Sequence, residues 1–134
     1  MSCPIYLAAS LVLSGGKGAE LKVVQYSDQA WLTDLPDLNV GRYSHACSSY
    51  SHSDTGSEVR RQTSHDMMDD GSSQILVVTG GYGSLGSDYL DTTETMREGG
   101  AYWTTLASAR LPFTLAYFKA VTLNNRIFTF GETF

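Results

Sequence analysis

Three glycines that follow the apolar run Gln74–Thr79 have a spacing that could support chemistry. Gly81, Gly83 and Gly86 fit the G-x-G-x-x-G pattern of loops that hold the pyrophosphate of a dinucleotide. Such a loop requires a helix behind it and an acidic residue about 20 positions further on. Glu98 lies near that position, but the intervening DTTET stretch is rich in β-branched residues, which favour strands. We therefore interpret the glycines as a turn and predict no cofactor.

Possible metal ligands are present without the spacing of a metal site. They are His45, His52, His65, Asp54, Asp66, Asp69 and Asp70. Because most of them lie in a polar segment, a bound metal would have to order its own ligands at a cost in conformational entropy. The sequence therefore predicts no metal centre beyond weak surface binding.

A nucleophile and a modification site can also be formulated. Cys47 lies two residues after His45, so the two share a strand face, but no third group that would orient the histidine is evident. We therefore assign no catalytic residue and predict that the protein is not an enzyme. The sequence RRQTS, residues 60–64, resembles a target of kinases that prefer basic residues, with Thr63 as the phosphate acceptor.

Composition limits the classes of partner. The chain has 134 residues, of which 42% are hydrophobic, and this is enough for the core of one ordinary domain. Its formal net charge is −5, and its one dense basic spot, Arg60-Arg61, lies among acidic and hydroxyl residues. Because there is no basic patch, neither nucleic acid nor a membrane is an expected partner.

The two cysteines, Cys3 and Cys47, form neither a C-x-x-C pair nor a framework of four or six. This favours free thiols in a reducing compartment such as the cytoplasm, while an extracellular location stays open. The apolar run Ile5–Leu13 has no basic residue before it and is too short to span a bilayer. We interpret it as a buried strand, with a degenerate or truncated signal peptide as the alternative.

Short runs rich in β-branched and aromatic residues, bounded by Gly, Pro, Asn and Asp, predict an all-β fold. The predicted strands are Ile5–Leu13, Glu20–Tyr26, Ala30–Thr33, Tyr43–Tyr50, Gln74–Thr79, Tyr89–Met96, Tyr102–Leu106, Tyr117–Leu123 and Arg126–Phe130. Of these, Tyr89–Met96 could also place its apolar residues on one face of a helix. Residues 51–73 are mostly Ser, Asp, Thr and Gly and are predicted to be an insertion loop.

Two parts of the chain are similar to one another. The segment LVLSGGKGAELKVVQYSDQAWL from Leu11 aligns with LVVTGGYGSLGSDYLDTTETMREGGAYWTTL from Leu76. Each has an apolar run, a hydroxyl residue, a glycine pair, a middle strand and a tryptophan, and a link with Arg and Pro follows. A third run, NNRIFTFGE from Asn124, repeats the opening of the unit with Glu132 in place of the second glycine.

This order of residues resembles the kelch-repeat family of β-propellers. The matching residues are Gly15, Gly16, Trp31, Gly80, Gly81, Tyr89, Glu94, Trp103 and Gly131, with links that carry Pro36, Arg42, Arg110 and Pro112. Gly80 and Gly131 are 51 residues apart, near the period of about 50 in kelch repeats. Gly15 and Gly80 are 65 apart, and part of the polar insertion accounts for the excess. The resemblance implies four-stranded blades in which the glycine pair ends the second strand and the tryptophan lies in the fourth.

Transferred to this chain, the resemblance implies an incomplete propeller of about two blades. Residues 1–42 would supply the last three strands of one blade, residues 43–106 a full blade, and residues 107–134 the first two strands of another. The glycine pairs would allow sharp turns and close approach of neighbouring segments. The tryptophans would supply apolar surface at the seams between blades.

The expected function is protein binding. The insertion is the expected contact region, with Arg60 and Arg61 as charge anchors and Met67 and Met68 as adaptable apolar contacts. A closed propeller needs about four blades or more, so we expect a fragment, or a chain completed by association through unpaired blade edges. The alternative is a propeller piece of a galactose-oxidase-like or other carbohydrate-active enzyme. A copper enzyme of the first kind would draw Tyr, His and Cys ligands from a chain with eight tyrosines.

Overall fold

The computed structural model describes residues 2–7, 10–16, 21–53, 72–83 and 89–131. These described residues form twelve β-strands and one turn of 3-10 helix, Ala107–Ala109, and contain no α-helix. All strand pairs among them are antiparallel. The fold class is therefore all-β, as predicted.

The first sheet contains four strands in chain order. They are β1 (Cys3–Tyr6), β2 (Leu11–Ser14), β3 (Val23–Ser27) and β4 (Ala30–Leu32). The prediction of one strand over Ile5–Leu13 was wrong, because this run forms the β1–β2 hairpin, in which Ile5 pairs with Val12. In a single strand these two residues would face opposite sides, whereas the reversal places both on the buried face. The sheet thus has one strand more than the three that the resemblance implied.

The second sheet also contains four strands, in the spatial order β6-β7-β9-β10. They are β6 (Ala46–Ser53), β7 (Ser72–Thr79), β9 (Thr93–Arg97) and β10 (Thr104–Thr105). The β6–β7 ladder extends from Ala46↔Thr79 to Ser53↔Ser72. Because residues 51–53 and 72–73 belong to this ladder, the connecting segment is residues 54–71, shorter than the predicted 51–73. The β-branched DTTET stretch enters strand β9, so the ambiguity over Tyr89–Met96 is resolved in favour of a strand.

A hairpin of β11 (Lys119–Leu123) and β12 (Arg126–Phe130) follows the second sheet. Its turn residues Asn124 and Asn125 have φ of 51° and 60°, as a two-residue type I′ turn requires and as asparagine tolerates. A small sheet pairs β5 (Arg42–Tyr43) with β8 (Tyr82–Gly83) at the end of the second sheet where β6 begins and β7 ends.

The main core lies between the first and second sheets. Its buried residues are Ile5, Val12, Val23, Leu38, Cys47, Leu76, Val78, Met96 and Trp103. Cys3 of β1 and Cys47 of β6 form a disulfide, with their Cα atoms 6.0 Å apart, which ties the two sheets together. The expectation of free thiols is therefore wrong, because two strands far apart in sequence place the two cysteines in contact across the interface. A smaller cluster of Ala46, Leu115 and Phe118 joins the second sheet to the hairpin.

Both glycine pairs end the second strand of their sheet where another segment passes close by. All four glycines have positive φ, from 65° at Gly80 to 115° at Gly16. A Cβ on Gly15 would lie 2.4 Å from the carbonyl oxygen of Arg42, and one on Gly80 would lie 2.8 Å from that of Leu115. The second glycine of each pair donates its N–H to the same carbonyl, at 3.2 Å and 2.6 Å. The repeat in the sequence is thus also a repeat of contacts, in which Arg42 corresponds to Leu115.

Candidate functional site

Four tyrosines from three segments of the chain meet at the β5–β8 end of the second sheet. The ring of Tyr82 lies at the centre, with its centroid 5.2 Å from that of Tyr43, 4.4 Å from Tyr89 and 5.5 Å from Tyr117. Tyr43 stacks on it and Tyr117 meets it edge-on, and both arrangements are favourable between aromatic rings. We call these four residues the tyrosine cluster.

Backbone pairing positions each member of the cluster. Tyr43 and Tyr82 are partners in the β5–β8 ladder, and Tyr89 forms a bridge with Tyr82. Tyr117 enters from the link to the hairpin with φ of 59°, and its N–H donates to the carbonyl of Ser44 at 2.9 Å. A positive φ is unusual for tyrosine, and Ser44, with φ of 54°, has the same conformation in the preceding link. Tyr117 is 60% exposed, so the cluster presents aromatic surface to solvent.

The cluster is also linked through its hydroxyl groups. The hydroxyl of Tyr82 donates to that of Tyr89 at 2.5 Å. This hydrogen bond, followed by partial desolvation and the neighbouring Tyr89 and Tyr117, raises the pKa of Tyr82 above its ordinary value. Tyr82 is therefore a neutral donor rather than a nucleophile or base.

A buried ion pair anchors the strand that carries Tyr43. Nη2 of Arg42 lies 2.8 Å from Oε2 of Glu94 in β9, and both side chains are fully buried. Glu94 also accepts the N–H groups of Asn39 at 2.6 Å and Val40 at 3.1 Å. Arg42 also donates to the carbonyls of Gly80 and Thr92 at 2.9 Å and 3.0 Å, and to Oγ1 of Thr92 at 3.2 Å. Burial lowers the pKa of Arg42, and the charge and hydrogen bond of Glu94 oppose that shift. The pair joins the link after the first sheet to the second sheet and so fixes β5.

His45 is a buried, neutral residue of the same region. Its Nε2 lies 2.9 Å from Oγ of Ser14 in the first sheet. Burial, and then the charge of Arg42, lowers the pKa of His45 to about 3. Cys47, which was considered as a nucleophile beside it, is bonded to Cys3 and has no free thiol. The structure therefore gives His45 a packing role between two sheets.

The two tryptophans lie in different environments. Trp103 is 2% exposed, and its Nε1 donates to the carbonyl of Pro36 at 3.2 Å. It therefore lies in the seam between the first and second sheets. Trp31 of β4 is 49% exposed and contacts the ring of Tyr26, with centroids 5.1 Å apart.

The predicted contact residues and the predicted phosphate acceptor lie outside the described residues. These are Arg60, Arg61, Thr63, Met67 and Met68, and the same applies to His65, Asp54, Asp66, Asp69, Asp70 and Gly86. Their roles stay predictions. The segment 54–71 begins and ends at the Ser53↔Ser72 pair, which is the end of the β6–β7 ladder opposite to Gly80 and the tyrosine cluster.

The other predicted residues have structural surroundings. Gly83 is in β8 and pairs with Arg42, so its backbone is engaged in a ladder. A Cβ on Gly131, after β12, would lie 2.5 Å from Cβ of Phe118. Within the described part of the chain, no three His, Cys, Asp or Glu side chains are grouped as metal ligands, and no helix has the length and apolar character needed to cross a membrane. The copper-oxidase alternative is not tested by these contacts.

A cavity of about 320 Å³ lies beside the cluster, between the first strands of the two sheets and of the hairpin. Its lining includes Cys3, His45, Cys47, Tyr117 and Lys119. Tyr117 thus belongs both to the tyrosine cluster and to this recess. An extended aromatic surface next to a recess is a shape that can take an anchoring side chain of a partner.

Comparison with known proteins gives no relative to reason from. No protein-family model matches the chain, and a search of curated proteins found no match. The function therefore has to be argued from the geometry of the site.

The tyrosine cluster was not predicted from the sequence. The eight tyrosines of the chain have no spacing that groups them. A signal was present in the repeat: Tyr43 and Tyr117 lie in the links that precede β6 and β11, and Tyr82 directly follows a glycine pair. Since the glycine pairs contact these links, the alignment of the repeats could have placed the tyrosines together.

Proposed function

We propose that this chain is a protein-binding module of the kelch type and that the tyrosine cluster is its contact surface. The observation that carries the proposal is the convergence of Tyr43, Tyr82, Tyr89 and Tyr117 at one exposed end of the second sheet. Tyrosine is enriched in protein–protein interfaces and among the residues that dominate their affinity. It offers a large apolar body together with a hydroxyl that can pair with a partner.

The cluster is ordered before a partner arrives. Ring packing around Tyr82, its hydrogen bond to Tyr89 and the β5–β8 ladder hold the side chains in place. Binding then costs less side-chain entropy than it would for four freely rotating residues. The buried Arg42–Glu94 ion pair also helps to hold the cluster in place, because it fixes the strand on which Tyr43 lies.

The kelch part of the proposal is supported by the repeated architecture. Two antiparallel four-stranded sheets each have a glycine pair after the second strand, and each pair makes the same contacts with the link that follows. Consecutive units of this kind are what radial repeat folds stack. The Cys3–Cys47 disulfide favours an oxidising compartment for the protein.

The proposal is tested with a random peptide library displayed on phage and selected on the whole chain. Peptides that bind are then titrated against the wild-type chain and against Tyr117→Ser, which introduces the residue that the chain itself has at the corresponding position 44. We expect the variant to bind at least about tenfold more weakly, since loss of a hot-spot side chain costs about 2 kcal/mol or more.

The matched control is Tyr102→Ser, because Tyr102 is 72% exposed and lies outside the cluster. Its affinity should equal that of the wild-type chain. A chain without residues 54–71 separates the cluster from the insertion as the contact region. Full affinity of Tyr117→Ser, or loss of binding with the deletion instead, would contradict the proposed surface.

A further inference from the structure

Among the described residues, one face of the first sheet is apolar and only partly buried. Strand register places seven residues on it: Pro4, Tyr6, Leu11, Leu13, Val24, Tyr26 and Trp31. None of them carries a charge, and Pro4, Tyr6, Tyr26 and Trp31 are exposed. We call this surface the head face.

The head face corresponds, position by position, to a buried face of the second sheet. Counted from the glycine pairs along the ladders, the matching residues are Cys47, Ser49, Leu76, Val78, Glu94, Met96 and Trp103. Most of these belong to the main core. The corresponding face is therefore buried in the second sheet and partly exposed in the first sheet.

The second sheet shows what covers such a face. Its partner is the opposite face of the first sheet, which contributes Ile5, Val12 and Val23 to the core and places Cys3 in its bond to Cys47. The hairpin packs on the other face of the second sheet, where Thr122 forms hydrogen bonds with the hydroxyl of Ser48 and the carbonyl of Ser49. In both interfaces, the face that corresponds to the head face packs on the opposite face of the sheet that precedes it in the chain.

The β11–β12 hairpin has an outer face opposite to the face that packs on the second sheet. On the hairpin, Ala120 and Thr122 point toward the second sheet, so alternation places their neighbours on the outer side. The apolar residues of that outer side are Val121, Leu123, Phe128 and Phe130, all exposed, with Lys119 and Arg126 at its two ends. We call this surface the tail face.

We propose that the head face of one chain binds the tail face of a second copy. Within the chain, the first sheet, the second sheet and the hairpin stack face to face. The proposed contact would extend this stacking from one chain to the next. It is heterologous, because two different surfaces meet, and such contacts close into rings or extend as open assemblies. Two chains would bring six units together, and radial β-sheet folds close with about four to eight. The inference concerns other surfaces than the tyrosine cluster and does not rest on the proposed binding function.

The first test is the mass of the chain in solution, measured by light scattering across a wide range of concentration. A closed pair has twice the chain mass of 14.6 kDa, and larger multiples indicate an open head-to-tail assembly. Either result supports the proposal. A monomer at every concentration overturns it.

The second test uses charges placed on one face at a time. Tyr26→Glu alters the head face and Phe128→Glu alters the tail face, and each variant alone should be monomeric because no intact head–tail pair is left. Tyr102→Glu, at an exposed aromatic on neither face, is the control and should assemble like the wild-type chain. Circular dichroism establishes that each variant retains its strands.

Mixing the two variants distinguishes this contact from other modes of association. The tail face of the Tyr26→Glu chain and the head face of the Phe128→Glu chain are both unaltered, so the mixture should form a one-to-one pair. A contact between two like faces would leave one variant assembled on its own and the other monomeric, both alone and in the mixture. That result would overturn the head-to-tail arrangement.

Discussion

Trp31 and Trp103 occupy equivalent positions in the first and second sheets. Trp31 pairs with Tyr26, and Trp103 lies one residue before the Thr104↔Thr95 pair. Trp103 is 2% exposed and Trp31 is 49% exposed. Trp103 is covered by the link from the first sheet, whose Pro36 accepts its indole N–H. The two tryptophans therefore differ in exposure because of the segments that pack on them, and not because of their local structure.

The first prediction follows from this difference. Trp103→Ala should lower the free energy of unfolding by about 3–5 kcal/mol, as expected for deletion of a buried tryptophan, while Trp31→Ala should cost less than about 1 kcal/mol. Urea denaturation measures both, in a chain that also carries Phe128→Glu so that the proposed contact between copies does not contribute. Equal losses for the two substitutions would contradict the assignment of Trp103 to the seam.

The second prediction concerns the buried ion pair. Glu94→Gln leaves the charge of Arg42 buried without its counterion and should cost about 3–5 kcal/mol of stability. The double variant Arg42→Leu with Glu94→Val introduces the residues that the chain has at the corresponding positions, Leu115 and Val24, and should lose less than the sum of its single variants.

The exposed pair of Arg110 and Asp91, with 2.8 Å between Nε and Oδ2, is the control for this measurement. Arg110→Gln should change stability by less than about 1 kcal/mol, because solvent screens such pairs. Denaturation of the double variant, of Arg42→Leu and Glu94→Val alone and of the wild-type chain gives the coupling energy. Additivity of Arg42 and Glu94 would show that they do not act as a pair.

The third prediction is a dependence of stability on pH through His45. Its pKa is about 3 in the folded chain and near 6.5 when unfolded. Between these values the unfolded chain binds one more proton, so stability is full above about pH 6.5 and falls with decreasing pH, by up to about 1.4 kcal/mol per unit.

Substitution of His45 should remove this part of the dependence. His45→Phe, which follows the residue at the corresponding position 118, should flatten the curve of stability against pH between these two pKa values, even if its stability at neutral pH is lower. The control is His52→Gln, which removes an exposed histidine. Thermal unfolding across this range measures the slope, and identical slopes for wild type and His45→Phe would contradict the prediction.

The fourth prediction concerns the Cys3–Cys47 disulfide, which closes a sequence separation of 44 residues. Its reduction should destabilise the fold by about 2–4 kcal/mol, mainly through the greater freedom of the unfolded chain. Urea denaturation with and without dithiothreitol measures the effect. A chain with Cys3→Ala and Cys47→Ala should show the lower stability in both conditions, and a continued response to the reductant would contradict the assignment.

The fifth prediction is that residues 54–71 can be replaced by Asn-Gly without loss of the fold. The replacement joins Ser53 to Ser72, which are already paired across β6 and β7, by a two-residue turn that suits such hairpins. Circular dichroism and urea denaturation should show the strand content and the midpoint of the intact chain within the error of measurement. Collapse of the fold would show that this segment is part of the core unit.

Sequence alone determined the local features of this protein. β-branched runs between turn residues gave an all-β chain, because strand preference is expressed in short stretches. The glycine pairs at Gly15-Gly16 and Gly80-Gly81 were interpreted as turns, and their positive φ values have a steric reason that is local too. Two strand predictions were wrong. Ile5–Leu13 contains a reversal inside an apolar run, where no turn residue signals the change of direction. Tyr43–Tyr50 is divided between β5 and β6, because Ser44 has a positive φ between them.

Tertiary structure decided the features that depend on which distant segments share a face. Cys3 and Cys47 meet because β1 and β6 belong to neighbouring sheets, and the four tyrosines meet because two links and one glycine turn reach the same end of the second sheet. No spacing between the residues themselves encodes these encounters, although the repeat indicates that the links with Tyr43 and Tyr117 lie near a glycine pair. The same holds for Trp31 and Trp103, whose local sequences are alike and whose burial is set by the unit that packs, or does not pack, on each of them.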